Sequence, residues 1–104
     1  MELEAEIKAS PIVIYSKSFC PFCVQTKELF KALEVDPAPH IHELDKMSDG
    51  GQRQRVLAAI SGQSTVPNIF INGEHFGGNT DLCHAAQDGE LADLLDEANV
   101  TYKN

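Results

Sequence analysis

Apolar residues fall in short runs along this chain, and the spacing inside each run predicts its element. The run Pro11–Tyr15, PIVIY, has no polar alternation and reads as a strand buried on both faces. Thr26, Leu29, Phe30 and Leu33 then recur at helical spacing and define a core-facing stripe. Pro21 suits the first position of that helix, where a missing N–H costs nothing. PAP, Pro37–Pro39, is expected to end it, and His40–Asp45 reads as a further strand. The stretch DGGQRQRVLAAI reads as a turn and a helix with Val56, Leu57 and Ile60 inward. VPNIFING holds a strand, and its Asn72-Gly73 is a hairpin signal. A short return strand, Glu74–Phe76, is broken by Gly77-Gly78, after which Asn79, Thr80 or Asp81 can cap a helix. Gly89 stops that helix, and Leu91, Leu94, Leu95 and Ala98 mark a last one. Glu2–Lys8 reads as a short surface helix in front.

The order is therefore β-α-β-α-β-β-α-α. The first half needs a crossover and hence parallel strands, and the second half supplies an antiparallel hairpin. A chain of 104 residues is one domain, 1–104. No apolar run approaches a membrane span, and the acidic start MELEAEIKAS lacks the apolar core of a secretory signal. Formal charge is −8, which argues against a nucleic-acid binder. An odd count of 3 cysteines with no such signal points to a reducing, cytoplasmic setting.

Two of those cysteines, Cys20 and Cys23, stand at the junction of the first strand and its helix in YSKSFCPFC. That position favours redox chemistry. Cys20 would lie at the helix start, where unpaired N–H groups and the macrodipole favour an anion. The thiolate is the attacking species. Lowering a thiol pKa by about 3 units takes about 4 kcal/mol, and a helix terminus gives at most about 2. Lys17 is the candidate for the remainder. Cys23, one turn on, is placed to capture a mixed disulfide. A structural zinc site needs a full tetrahedral set of ligands; one C-x-x-C with scattered His40, His42, His75 and His84 does not supply it, and no metal is expected. A disulfide spanning two residues would brace almost nothing. Cys83 reads as a packed bystander open at most to regulatory oxidation.

CPFC joined to TVPNIFINGEHFGGNTDL resembles the dithiol glutaredoxins over nearly the whole chain, Pro11 to Ala98, with fungal cytosolic members as the expected neighbours. The resemblance implies a thioredoxin-like α/β fold, a four-stranded mixed sheet flanked by helices on both faces. It implies glutathione as cosubstrate and a cis Val66–Pro67 peptide. The backbone of Val66, between Thr65 and Pro67, would then pair with the backbone of glutathione. Gly78 and the helix start at Asn79, Thr80 and Asp81 would take the γ-glutamyl end. Lys17 and Gln54 would meet the glycyl carboxylate, with Arg53 adjacent, and Phe22 would pack on the ligand. Phe22 departs from the tyrosine commonest in the motif, and Ser64 from a frequent arginine; neither change removes a catalytic atom.

The implied activity is glutathione-dependent reduction of glutathionylated proteins, small mixed disulfides and some protein disulfides. Glutathione reductase and NADPH would recycle the glutathione disulfide, and the protein would be a monomer. The alternative is a [2Fe–2S] carrier built from two chains and two glutathiones, which Pro21 counts against. A thioredoxin proper is disfavoured because the chain has no tryptophan.

Overall fold

The computed structural model describes residues 3–103. Its elements are α1 (Leu3–Lys8), β1 (Ile12–Ser16), α2 (Pro21–Ala32), β2 (His40–Glu43), a 3-10 turn (Leu44–Lys46), α3 (Gly50–Ser61), β3 (Asn68–Ile71), β4 (Glu74–Gly77), α4 (Asn79–Asp88) and α5 (Glu90–Glu97). Glu2, expected in the first helix, lies outside the described residues. The sheet runs β2-β1-β3-β4. β1 pairs parallel with β2 and antiparallel with β3, and β3 pairs antiparallel with β4. This is a thioredoxin-like mixed sheet, as expected.

The unbroken apolar run of β1 follows from its central place. Ile12 and Ile14 face a core made with Phe30 of α2, Leu82 and Ala85 of α4 and Leu91 and Leu95 of α5. Val13 and Tyr15 face the opposite core, made with Leu3 and Ile7 of α1, Leu57 of α3, Leu44 and Phe70. Side chains alternate along a strand, so one run serves both faces. Asn72, at φ 55, and Gly73, at φ 80, make the predicted hairpin turn. Gly89 closes α4 in the left-handed region at φ 88.

Three expectations are corrected. Of the three α3 residues expected to face inward only Leu57 is buried; Val56 is 37% and Ile60 46% exposed. Helices α1 and α3 share one sheet face, so α3 needs only a narrow apolar line. The second helix ends at Ala32, well before the Pro37–Pro39 stretch. The backbone of Glu34 turns to φ 50, its N–H donates to Lys31 O, and Lys103 N–H donates to Leu33 O. The second strand stops at Glu43, because residues 44–46 coil into the 3-10 turn to bury Leu44.

Candidate active site

β1 delivers the chain to Lys17–Phe19, which turns it into α2. Cys20 is the residue before the first helical one, with extended backbone at φ −87 and ψ 120. Its N–H donates to Lys17 O at 3.1 Å, and its carbonyl accepts from Val24 N–H at 3.1 Å. Pro21 at the first helical position has no N–H to compete, so the free amides of the first turn gather at the Cys20 sulfur. Burial pushes the Cys20 thiol up, but the Cys23 amide, the Cys23 thiol, the Phe22 amide and the Lys27 charge together bring it below its ordinary value. Burial pushes the Cys23 thiol up, and the adjacent Cys20 adds to the rise, against lowering contacts from the Lys17 amide and the Ser16 hydroxyl. One thiol is therefore half-exposed and acidic, the other enclosed and held neutral. All three cysteines are free thiols.

The cation differs from the one expected. Lys27, not Lys17, supplies the charge felt by Cys20. Lys17 serves instead through its backbone, its carbonyl receiving Cys20 N–H and its amide reaching the Cys23 sulfur. Sequence proximity does not aim a flexible side chain. Lys27 lies inside α2 and is held by Glu43 at 2.6 Å.

Across from Cys20 lies the turn between α3 and β3. The Val66–Pro67 peptide is cis, and the Cys20 sulfur is 4.0 Å from Val66 O. Beside them runs an open groove of about 420 Å³ lined by Phe22, Gln63, Thr65, Val66, Pro67, Gly78, Asn79, Thr80 and Asp81. Eight of the residues anticipated for ligand binding thus meet in one place. Phe22 presents a 58% exposed ring, and Phe19 on the other side of Cys20 is 70% exposed.

At the far end of the groove α4 begins at Asn79, with Gly78 as its cap residue. The cap arrangement is not one in which Asn79, Thr80 or Asp81 precedes the helix. Asp81, three residues in, reaches back to accept Gly78 N–H at 3.0 Å. That engages one oxygen of the exposed Asp81 carboxylate, which also lines the groove. Gly77, at φ 142, has no room for a Cβ, which would run into the Asp81 carboxylate. The Asn79 side chain faces inward: its Oδ1 accepts from the Thr26 hydroxyl at 2.9 Å and its Nδ2 donates to Gln25 at 3.0 Å. Only its backbone and the edge of its surface are available to a ligand, while the side chain locks α4 onto α2.

Lys17 and Gln54 are not among the groove-lining residues. Gln54 Nε2 donates to Ser64 O at 2.8 Å. Arg53 is turned away and committed, to Glu6 at 2.9 Å and Asp49 at 3.0 Å. Cys83 sits half-buried on α4, also outside the groove lining. Gln63 is the lining residue that sequence reasoning passed over; a polar residue between a helix-ending glycine and the Thr-Val-Pro turn carries no spacing signal of its own.

A Cys-x-x-Cys at a strand-to-helix junction, facing a cis-proline turn on this sheet, defines the thiol-redox class of thioredoxin-like proteins. The glutaredoxin family profile matches residues 12–76, and the chain belongs to the glutaredoxin family. It is 47% identical over 96 residues to monothiol glutaredoxin-S10 of rice, covering 91% of this chain and 57% of that protein. It is 48% identical over 92 residues to rice glutaredoxin-C6, covering 88% and 80%. It thus spans little more than half the length of the first of these. The expected placement beside fungal members is not upheld: glutaredoxin-1 of the fungus Rhizophagus irregularis is 43% identical over 93 residues, covering 89% and 90%, below both rice proteins. Among solved structures, a buckwheat glutaredoxin–glutathione complex has a TM-score of 0.86 at 34% identity, covering 94% of this chain and 87% of that one.

Proposed function

We propose that the protein is a glutathione-dependent thiol-disulfide oxidoreductase acting on glutathionylated proteins, small mixed disulfides and some protein disulfides. The observation that carries this reading is the acidic, half-exposed Cys20 sulfur 4.0 Å from the Val66 carbonyl at the end of a backbone-lined groove. The Cys20 thiolate attacks the glutathione sulfur of a mixed disulfide. A Cys20–glutathione disulfide forms, the substrate S–S bond breaks, and the substrate thiolate leaves and takes a proton. A second glutathione thiolate attacks the glutathionyl sulfur, which frees Cys20 and forms glutathione disulfide. The balance is one mixed disulfide plus one free glutathione giving the substrate thiol and glutathione disulfide. The depressed pKa of Cys20 helps at both steps, raising the thiolate fraction and making Cys20 a good leaving group.

On protein disulfides Cys23 attacks Cys20 in the enzyme–substrate bond and leaves an internal disulfide. Its burial and raised pKa suit a group that acts only inside that intermediate. The groove supports glutathione in an extended pose. Val66 offers backbone, Phe22 a ring face, and the α4 start with Gly78, Thr80 and Asp81 the γ-glutamyl end. The Asp81 oxygen left free by the cap pairs with the ammonium, and Lys17 and Gln54 meet the glycyl carboxylate. The partners that follow are glutathione, disulfide-bearing proteins, and glutathione reductase with NADPH as the recycling system. A reducing compartment such as the cytoplasm keeps such a dithiol working, and we infer it as the setting.

Single serine replacements of the three cysteines, assayed on a glutathionylated peptide and on a protein disulfide without glutathione, test the reading. Cys20→Ser loses both activities. Cys23→Ser keeps deglutathionylation and loses most protein-disulfide reduction. Cys83→Ser keeps both. A folded Cys23→Ser protein unable to deglutathionylate would remove Cys20 as nucleophile.

A further inference from the structure

We infer that Gln63 is a positioning residue, whose side-chain amide holds the turn before β3 so that the carbonyl of Val66 is the one of residues 64–67 left open to Cys20 and to ligand. This rests on the groove being the glutathione site.

The chain leaves α3 through Gly62, in the left-handed region at φ 78. Gln63 is then pinned by its own backbone, its N–H donating to the Ser61 hydroxyl at 3.1 Å. Its side chain folds over the turn. Nε2 donates to Pro67 O at 2.9 Å and to Thr65 O at 3.1 Å. A primary amide nitrogen has two hydrogens and accepts nothing, so both donors are used. That fixes which end of the amide is which. The oxygen must face His75 on β4, whose Nε2 is 3.2 Å away. His75 therefore carries hydrogen on Nε2, as both its Nε2–H tautomer and its imidazolium do. The amide is braced between the turn and the sheet in either charge state of the ring.

Gln54 extends the pattern, its Nε2 donating to Ser64 O at 2.8 Å. The carbonyls of Ser64, Thr65 and Pro67 are thus each engaged by a glutamine amide. Val66 is the exception. The only side-chain partner of its carbonyl among the described residues is the Cys20 thiol at 4.0 Å, a distance long even for sulfur. Strand-like pairing with a peptide ligand uses the N–H and C=O of one residue. A turn whose other carbonyls were free would sample several orientations, and ordering it would be charged against binding.

Gln63→Met keeps length and removes both donors. With about one hydrogen bond's net worth lost for each of the two donors, the apparent KM for glutathione should rise by up to roughly thirtyfold. The kcat and the iodoacetamide pH midpoint of Cys20 should stay put. Independently of any ligand, the NMR order parameter of the Val66 N–H should fall from about 0.85 toward 0.6. Gln63→Glu, which sets a carboxylate against two carbonyls, should do more; His75→Leu should act in the same direction and do less. Gln52→Met, an exposed glutamine on α3, should leave all readouts unchanged.

An unchanged KM and an unchanged Val66 order parameter in Gln63→Met would overturn the inference. So would a loss in which KM, kcat and the Cys20 midpoint all move together, since that is collapse of the site and not positioning. A parent enzyme showing no saturation with glutathione would sink the proposed function instead, while the order parameter would still decide the role of Gln63.

Discussion

The groove beside Cys20 and the cluster beneath α1 are both polar, and they use polarity in opposite ways. Under α1, Glu6 accepts from Tyr15 at 2.7 Å and from Arg53 at 2.9 and 3.0 Å. Arg53 also binds Asp49 through two bonds of 3.0 Å. Tyr15 stacks on His42 with ring centroids 4.9 Å apart. Burial lowers the His42 pKa despite the Glu6 charge, so the 3.6 Å approach of these two groups is too long for a hydrogen bond and is not an ion pair at neutral pH. Every charge of Glu6 and Arg53 is spoken for by a fixed partner. At the groove, neutral amides and backbone do the holding, and capacity is left over: the Cys20 sulfur, the Val66 backbone, one Asp81 oxygen. Saturation gives stability, and residual capacity gives binding. Arg53 is instructive because its sequence position, adjacent to the binding candidates, reads as a solvated side chain, while its partners Glu6 and Asp49 commit it to the first role.

The sharpest way to break this contrast is to empty the saturated cluster. Glu6→Ala removes two charge-assisted bonds to Arg53 and strands the buried Tyr15 hydroxyl. It should cost roughly 2 kcal/mol, discounted for the partial exposure of the pair. Thermal unfolding should then begin roughly 10 °C lower, with glutathione kinetics at room temperature hardly changed. The same cluster has a pH signature. Burial raises the Glu6 pKa, but the Tyr15 and Arg53 contacts outweigh it and the net value is depressed. Its contribution is complete above the unfolded carboxylate value and is lost as pH falls through the lower folded value. The stability gap between parent and Glu6→Ala should therefore be full near pH 7 and close below about pH 4. A gap that persisted unchanged in acid would mean packing, not charge, joins α1 to the sheet.

A smaller effect is expected at the groove. Asp81→Ala should weaken glutathione binding about fivefold and leave Cys20 acidity unchanged, because the shift of Cys20 comes from the Cys23 and Phe22 contacts and the Lys27 charge. It should also lower stability through the lost Gly78 cap. Equal affinity with lower stability would assign Asp81 to the saturated kind. The smallest effects are expected at the lysines. Lys27→Met should raise the Cys20 alkylation midpoint by less than about half a unit, since the ammonium is already shared with Glu43. Lys17→Met should move it less; a larger shift from Lys17 would restore the charge role its sequence position suggested.

Backbone order and the position of the thiols were legible because they depend on local patterns. PIVIY, the Asn72-Gly73 turn, Gly89 and the cysteine–proline start of α2 each state their geometry within a few residues. The Thr-Val-Pro and Gly-Gly segments were legible through resemblance. What escaped depends on direction and on neighbours far along the chain. Whether Val56 or Leu57 faces inward is decided by α1, some 50 residues away in sequence, which already covers that side of the sheet. Which lysine acts on Cys20, and that Gln63 spans the Thr65–Pro67 turn, are set by where long side chains settle, and no spacing records that.

The order of the strands has a further consequence, for what the molecule avoids. Ile12–Tyr15 and Ile69–Ile71 are the segments most able to polymerise into cross-β stacks, apolar and rich in β-branched residues. Both are interior strands with each edge already paired. The outer positions go to β2 and β4, four residues each, carrying His40, His42 and Glu43 on one side and Glu74 and His75 on the other. The β3–β4 ladder also shifts register between Ile69 and Phe70, which twists that border out of plane. Short, charged, irregular borders make poor templates for a second copy, and a chain charge of −8 keeps copies apart. Open extended backbone is thereby left to short, blunted borders and to the turn residue beside the thiol, while the strands that would nucleate fibres are enclosed.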